Sequence, residues 1–102
     1  MHQATLKALE KAVAAAGREI TDMSDSYVSV GGVDFWSTRY GWIHAWEERD
    51  GTFSASTTPA YRRRTGCGGA GGRTVDAVAF MAGVPTYRSP AAAVRAYFGE
   101  AA

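Results

Sequence analysis

Leu6, Leu9, Val13 and Ala16 recur three and four residues apart near the start of the chain. That spacing puts apolar groups on one stripe of an α-helix. Alanine at 8, 12, 14 and 15 raises helix propensity further, and the pattern predicts a helix over about residues 3–17. Gly17 suits its end, because glycine enters the left-handed conformation of a helix C′ position with little strain. Asp22 to Ser26 has no apolar period and reads as a polar connection.

From Tyr27 the period falls toward two, and β-branched and aromatic residues replace alanine. Tyr27 to Val30 reads as a strand, Gly31-Gly32 as a two-residue hairpin turn with positive φ at both positions, and Val33 to Thr38 as a second strand. An alternative makes 27–38 one long strand bulged at the glycines. Arg39 to Gly41 is a turn and Trp42 to Glu48 a third strand. Its Trp42, His44 and Trp46 share one face, Ile43 and Ala45 the other, and either set suits the buried side. Asp50-Gly51 is a hairpin signal, and Thr52 to Thr57 closes the meander before Pro59.

Residues Arg62 to Arg73 have no periodicity and contain five glycines, the composition of a mobile loop. Thr74 then reads as an N-cap. Val75, Val78, Ala79 and Ala82 form one face of a short helix that Gly83 stops. Ser89-Pro90 starts a last helix: a hydroxyl caps free amides, and proline stands where no N–H is needed. This helix is expected over about 90–98, with Val94, Tyr97 and Phe98 inward and Gly99 at its end. The elements together predict one α+β domain spanning 1–102. An N-terminal helix precedes a three- or four-stranded antiparallel β-meander, and two short C-terminal helices pack on one sheet face.

Composition narrows the function classes. A chain of 102 residues that is 46% hydrophobic and 12% aromatic can bury a core of its own. Its longest apolar stretches, such as Val75 to Val84, fall far short of the ~20 residues of a membrane span. No basic start with a following apolar run marks a signal peptide. One cysteine, Cys67, leaves no internal disulfide and no multi-cysteine zinc site, so a cytoplasmic, reducing setting is expected, without metal or cofactor. Nine arginines against Lys7 and Lys11, with abundant alanine and glycine, suggest a GC-rich genome. The net charge of +1 conceals an asymmetry: residues 1–60 carry −3 and residues 61–102 carry +4.

That basic half directs attention to the arginine–glycine segment. Arg62, Arg63, Arg64 and Arg73 can neutralise phosphates, and amides at Gly66 and Gly68 can approach an anion closely. The helix beginning after Arg73 would add its free N–H groups. Cys67 to Thr74 has the spacing of a P-loop, but Cys replaces its first glycine and Arg its lysine, a poor substitute for a compact ammonium. NTP hydrolysis is therefore not expected. Pro59 to Gly68 resembles the acyl-CoA pyrophosphate loop of GNAT acetyltransferases, with Arg63, Gly66 and Gly68 meeting that family's pattern over about ten residues. The resemblance implies acyl-CoA binding by a loop that follows a strand and leads into a helix. Thr74 to Val84 resembles the first helix and turn of a helix-turn-helix repressor, which implies that Arg88 and Arg95 face DNA.

Catalytic combinations are sparse. His44 is the one internal histidine and reads as a strand residue; arginines near Cys67 would lower its pKa, but nothing fixes His44 beside it. Aromatics are abundant instead. Trp36, Tyr40, Trp42 and Trp46 are the candidates for an exposed stacking or protein-binding surface. The leading expectation is thus a small non-catalytic module that engages a polyanion, nucleic acid by preference, through the arginine–glycine loop. The alternative is a protein-binding regulator, of the phage accessory or inhibitor type, that uses an aromatic sheet face. An acyl-CoA-binding acetyltransferase comes third.

Overall fold

The computed structural model describes residues 1–55, 70–81 and 84–101. Helix α1 (Gln3–Ala15) is followed by strands β1 (Ile20–Met23), β2 (Tyr27–Val30), β3 (Val33–Thr38), β4 (Gly41–Glu47), β5 (Phe53–Ala55) and β6 (Ala70–Gly72), then by helices α2 (Val75–Phe80) and α3 (Pro90–Ala101). The strands form one antiparallel sheet in the order β1-β2-β3-β4-β5-β6. The α+β class and the meander are as expected, but the strand count is six rather than three or four.

Both extra strands are edges. β1 begins before the stretch read as a polar connection and shares only Asp22 and Met23 with it: Ile20 is half-buried while Thr21, Asp22 and Met23 are exposed, so no alternation marks it. Its pairing to β2 is irregular between Ile20 and Asp22, and Asp22 Oδ1 accepts the Met23 amide. β6 lies at the end of the segment read as a loop. Ala70-Gly71-Gly72 has almost no side-chain signal and becomes a strand by pairing with Ala55, Ser54 and Phe53.

The turns follow their residue types. Gly31 and Gly32 have φ of +57° and +84°, and the flanking Val30 and Val33 pair directly. This is the two-residue hairpin, not the bulged long strand. At Asp50-Gly51, the Asp50 carboxylate accepts the Thr52 amide and hydroxyl. Those bonds hold the Asp50 carboxyl below its ordinary value.

All three helix ends differ from expectation. α2 closes at Phe80, with Met81 already extended, instead of running through Ala82 to Gly83. α1 ends at Ala15, with Gly17 at φ +69° and the Arg18 amide donating to Val13 O. α3 is capped as predicted, with the Ala92 amide donating to Ser89 Oγ at 3.1 Å. It runs through Gly99 to Ala101 instead of stopping at 98. A glycine in a helix interior costs roughly 0.5–1 kcal/mol relative to alanine but does not forbid the helix.

The pleat sorts the core into two clusters. On face one, Val28, Val30 and Phe35 pack with Leu9, Ala12 and Val13 of α1 and Ala91, Ala93 and Val94 of α3. On face two, Ile43, Ala45 and Ala55 pack with Val78 and Ala79 of α2. Phe35 pairs with His44, and Trp36 with Ile43, so neighbouring positions on each strand serve opposite faces. The expectation that both C-terminal helices share one face is therefore corrected: α2 and α3 lie on opposite sides of the sheet. The chain crosses between them through Tyr87, which pairs with Trp42 by hydrogen bonds of 2.7 and 2.8 Å. Gly41 makes room for that crossing. Its φ is +129°, and a Cβ there would stand 2.7 Å from Tyr87 O.

Candidate functional site

The expected sites are distributed unevenly over this framework. Arg62, Arg63, Arg64, Gly66 and Gly68 lie outside the described residues, as does Cys67. Arg73 is described: it is exposed, immediately after β6. The helix that follows has its N-terminus partly occupied by its own residues. α2 has six residues, Thr74 Oγ1 accepts the Ala77 amide at 3.0 Å, and Asp76 stands in its first turn. That carboxylate accepts the Arg39 amide across the β3–β4 turn, at 3.0 Å. Asp76 thus adds a negative charge to the first turn, which opposes binding of a second anion there.

Two resemblances are weakened by the same geometry. The chain enters β6 after residue 69, whereas the acyl-CoA loop was expected to lead into a helix. The helix-turn-helix reading needs two helices packed together across a short turn; α2 and α3 are separated by the sheet. Arg88 and Arg95 are exposed but belong to no such unit.

The four aromatic candidates divide. Trp42 is half-buried on face one and packs against its core. Trp46 lies on the same face, 5.2 Å from the His44 ring, with Nε1 donating to Glu48 Oε1 at 2.7 Å. His44 itself lies 4.8 Å from Tyr97, and its Nδ1 is 3.1 Å from Asp34 O. Trp36 is half-buried on face two, stacked on Tyr27 at 4.9 Å and edge-on to Phe53 at 5.0 Å. Its Nε1 is buried without a hydrogen-bond partner among the described residues. Trp36 and Trp42 thus pack against the two cores, and Trp46 is a half-buried sheet aromatic. Tyr40 is different: it is 46% exposed, at the tip of the β3–β4 turn.

Tyr40 has a neighbour that the sequence reading passed over. Phe80, at the end of α2, is 74% exposed, and the two ring centroids are 5.9 Å apart. Met81 adds a third apolar side chain at 38% exposure. The Arg39 guanidinium stands 5.9 Å from the Tyr40 ring, a cationic rim to an apolar patch. The Asp76–Arg39 bond ties α2 to the turn and so holds the two halves of the patch together. Helical phase was the missed signal: Val75, Val78 and Ala79 define the inward stripe, and Phe80 falls off it.

Among the described residues, no group of histidine, cysteine or carboxylate side chains could hold a metal ion, and no helix is long and apolar enough to cross a membrane. Comparisons with protein families, curated proteins and solved structures found no match to this chain.

Proposed function

We propose that this chain is a non-catalytic binding module that engages a protein partner through the Tyr40–Phe80–Met81 patch. The observation that carries the reading is Phe80, a large ring left 74% exposed beside a second exposed ring. A phenylalanine of this kind stabilises a complex when buried, by roughly 1.5–3 kcal/mol. Aromatic residues are also the commonest anchors of protein interfaces. Arg39 at the rim favours a partner surface with an apolar pocket and an acidic edge.

The test is affinity capture followed by a high-salt wash, comparing the native chain with Phe80→Ser and Tyr40→Ser. The expected result is a defined protein retained through the wash by the native chain and lost by both variants, whose melting temperatures stay near native. Equal retention by the variants sinks the patch as the binding surface.

A second reading, polyanion binding, is favoured by the +4 charge of residues 61–102 and by the exposure of Arg73. Nucleic-acid binding of this kind weakens steeply with salt. Fluorescence anisotropy with a labelled oligonucleotide should show that slope. Replacing Arg62, Arg63 and Arg64 by alanine should flatten it, while Phe80→Ser leaves it unchanged. Salt-independent binding would remove this reading.

A further inference from the structure

The carboxyl-terminal ends of α1 and α3 enclose a groove of about 500 Å³, lined by Ala12, Ala15, Ala16, Phe98 and Gly99, with Arg18 and Arg95 beside them. We infer that this groove binds an amphiphilic carboxylate: one anionic head held between the two guanidiniums, with an apolar tail on the alanine floor.

Size, charge and shape support that class of ligand. The volume falls within the range usual for small-molecule sites, roughly 300–1,000 Å³. Among the described residues, no acidic side chain lines the groove and neither guanidinium has a carboxylate partner. The helix carboxyl ends bring about half a negative charge each, against which Arg18 and Arg95 set two full positive charges at the groove itself. Guanidinium groups match a carboxylate with paired, charge-assisted hydrogen bonds.

Arg18 is also held in place. Its stem passes over the β2–β3 turn, where a Cβ on Gly31 would stand 3.3 Å from Arg18 Cδ. Its Cζ lies 5.0 Å from the Phe98 ring centroid. Gly99 points the same way for a different reason. A Cβ at this position would meet no neighbour within 4 Å, so packing does not require glycine there. Its absent side chain instead keeps the groove wall low.

The experiment is an amide chemical-shift titration of the full chain with octanoate, octyltrimethylammonium and inorganic phosphate, each below any micellar concentration. Saturable shifts with octanoate at Ala12, Ala15, Ala16, Arg18, Arg95 and Gly99 are expected, with much weaker responses to the cation and to phosphate. The Arg18→Ala/Arg95→Ala double variant should bind octanoate roughly tenfold more weakly or worse, the loss of about one strong charged contact. Gly99→Leu provides the decisive separation: it should raise the melting temperature, by improving the helix, while blocking octanoate. Equal binding of the cationic amphiphile, equal binding of phosphate alone, or undiminished binding by the folded double variant would overturn the inference.

Discussion

The two faces of the sheet are built on different scales. Face one is covered by helices of 13 and 12 residues and contains Leu9, Phe35 and Val94. Face two is covered over β3–β6 by a helix of six residues, and three of its five buried side chains are alanines. Small side chains let α2 approach closely: a Cβ on Gly72 would stand 3.2 Å from the Ala77 Cβ. They also offer less apolar area to bury, and buried area is the main stabilising term. The result is a main core on one side and a thinner satellite on the other. The satellite presents Phe80 outward on the less deeply anchored helix, beside Tyr40 of the β3–β4 turn.

The largest expected effect separates the two cores directly. Phe35→Ala should destabilise the protein by about 3–5 kcal/mol and reduce amide protection throughout. Val78→Ala removes two buried methyl groups and should cost roughly 2 kcal/mol, with protection lost first in α2, β5 and β6. Denaturant unfolding with residue-resolved hydrogen exchange measures both, and loss of protection in α1 on Val78→Ala would show the two cores to be one.

An intermediate effect concerns the crossing between faces. Gly41→Ala places a methyl in a left-handed backbone conformation and against Tyr87 O. The strain alone should cost about 1–3 kcal/mol, and the Trp42 and Tyr87 amides should lose protection together. Protection lost at Trp42 alone would mean that the pairing is not one cooperative unit.

The smallest effect lies beyond α2, where β1 and β2 meet. The Tyr27 hydroxyl donates to the Asp22 carboxylate. That bond, then burial, then the charges of Asp22 and Asp34, raise the Tyr27 pKa above its ordinary 10.0. A raised folded-state value contributes stability that is fully present below pH 10 and is lost as pH rises through the folded value. The stability difference between the native chain and Tyr27→Phe should therefore narrow above pH 10, as thermal melts at pH 8 and pH 11 would register. A constant difference would show that the bond contributes nothing.

Much of face one was legible in the sequence because its pattern is local. The α1 stripe, the Gly31-Gly32 hairpin and the Ser89-Pro90 start each combine a period with a residue suited to the turn or cap. The two-sided core was written in β4, where Trp42-Ile43-His44-Ala45-Trp46 is apolar or aromatic at successive positions. Such a run marks a strand covered on both sides, which the expectation of helices on a single face does not use. β1 and β6 were hidden because an edge strand of polar residues or glycines is defined by its partner, not by its own composition. Gly99 misled because a glycine stop and a tolerated interior glycine look alike in one sequence. Phe80 was readable from phase, whereas the Arg18–Arg95 groove was not, since residues 77 positions apart meet there only after the helices pack.

The Trp42–Tyr87 pairing has a consequence for the order of events in folding. Every other strand pairing joins chain neighbours, so the sheet can zip from one hairpin to the next with little loop-closure entropy at each step, except across the longer β5–β6 connection. Tyr87 must instead find Trp42 across 45 residues, after β4 has its shape. The clasp should thus close late, with the C-terminal third docking onto a sheet already assembled, and substitutions near Tyr87 should speed unfolding far more than they slow folding.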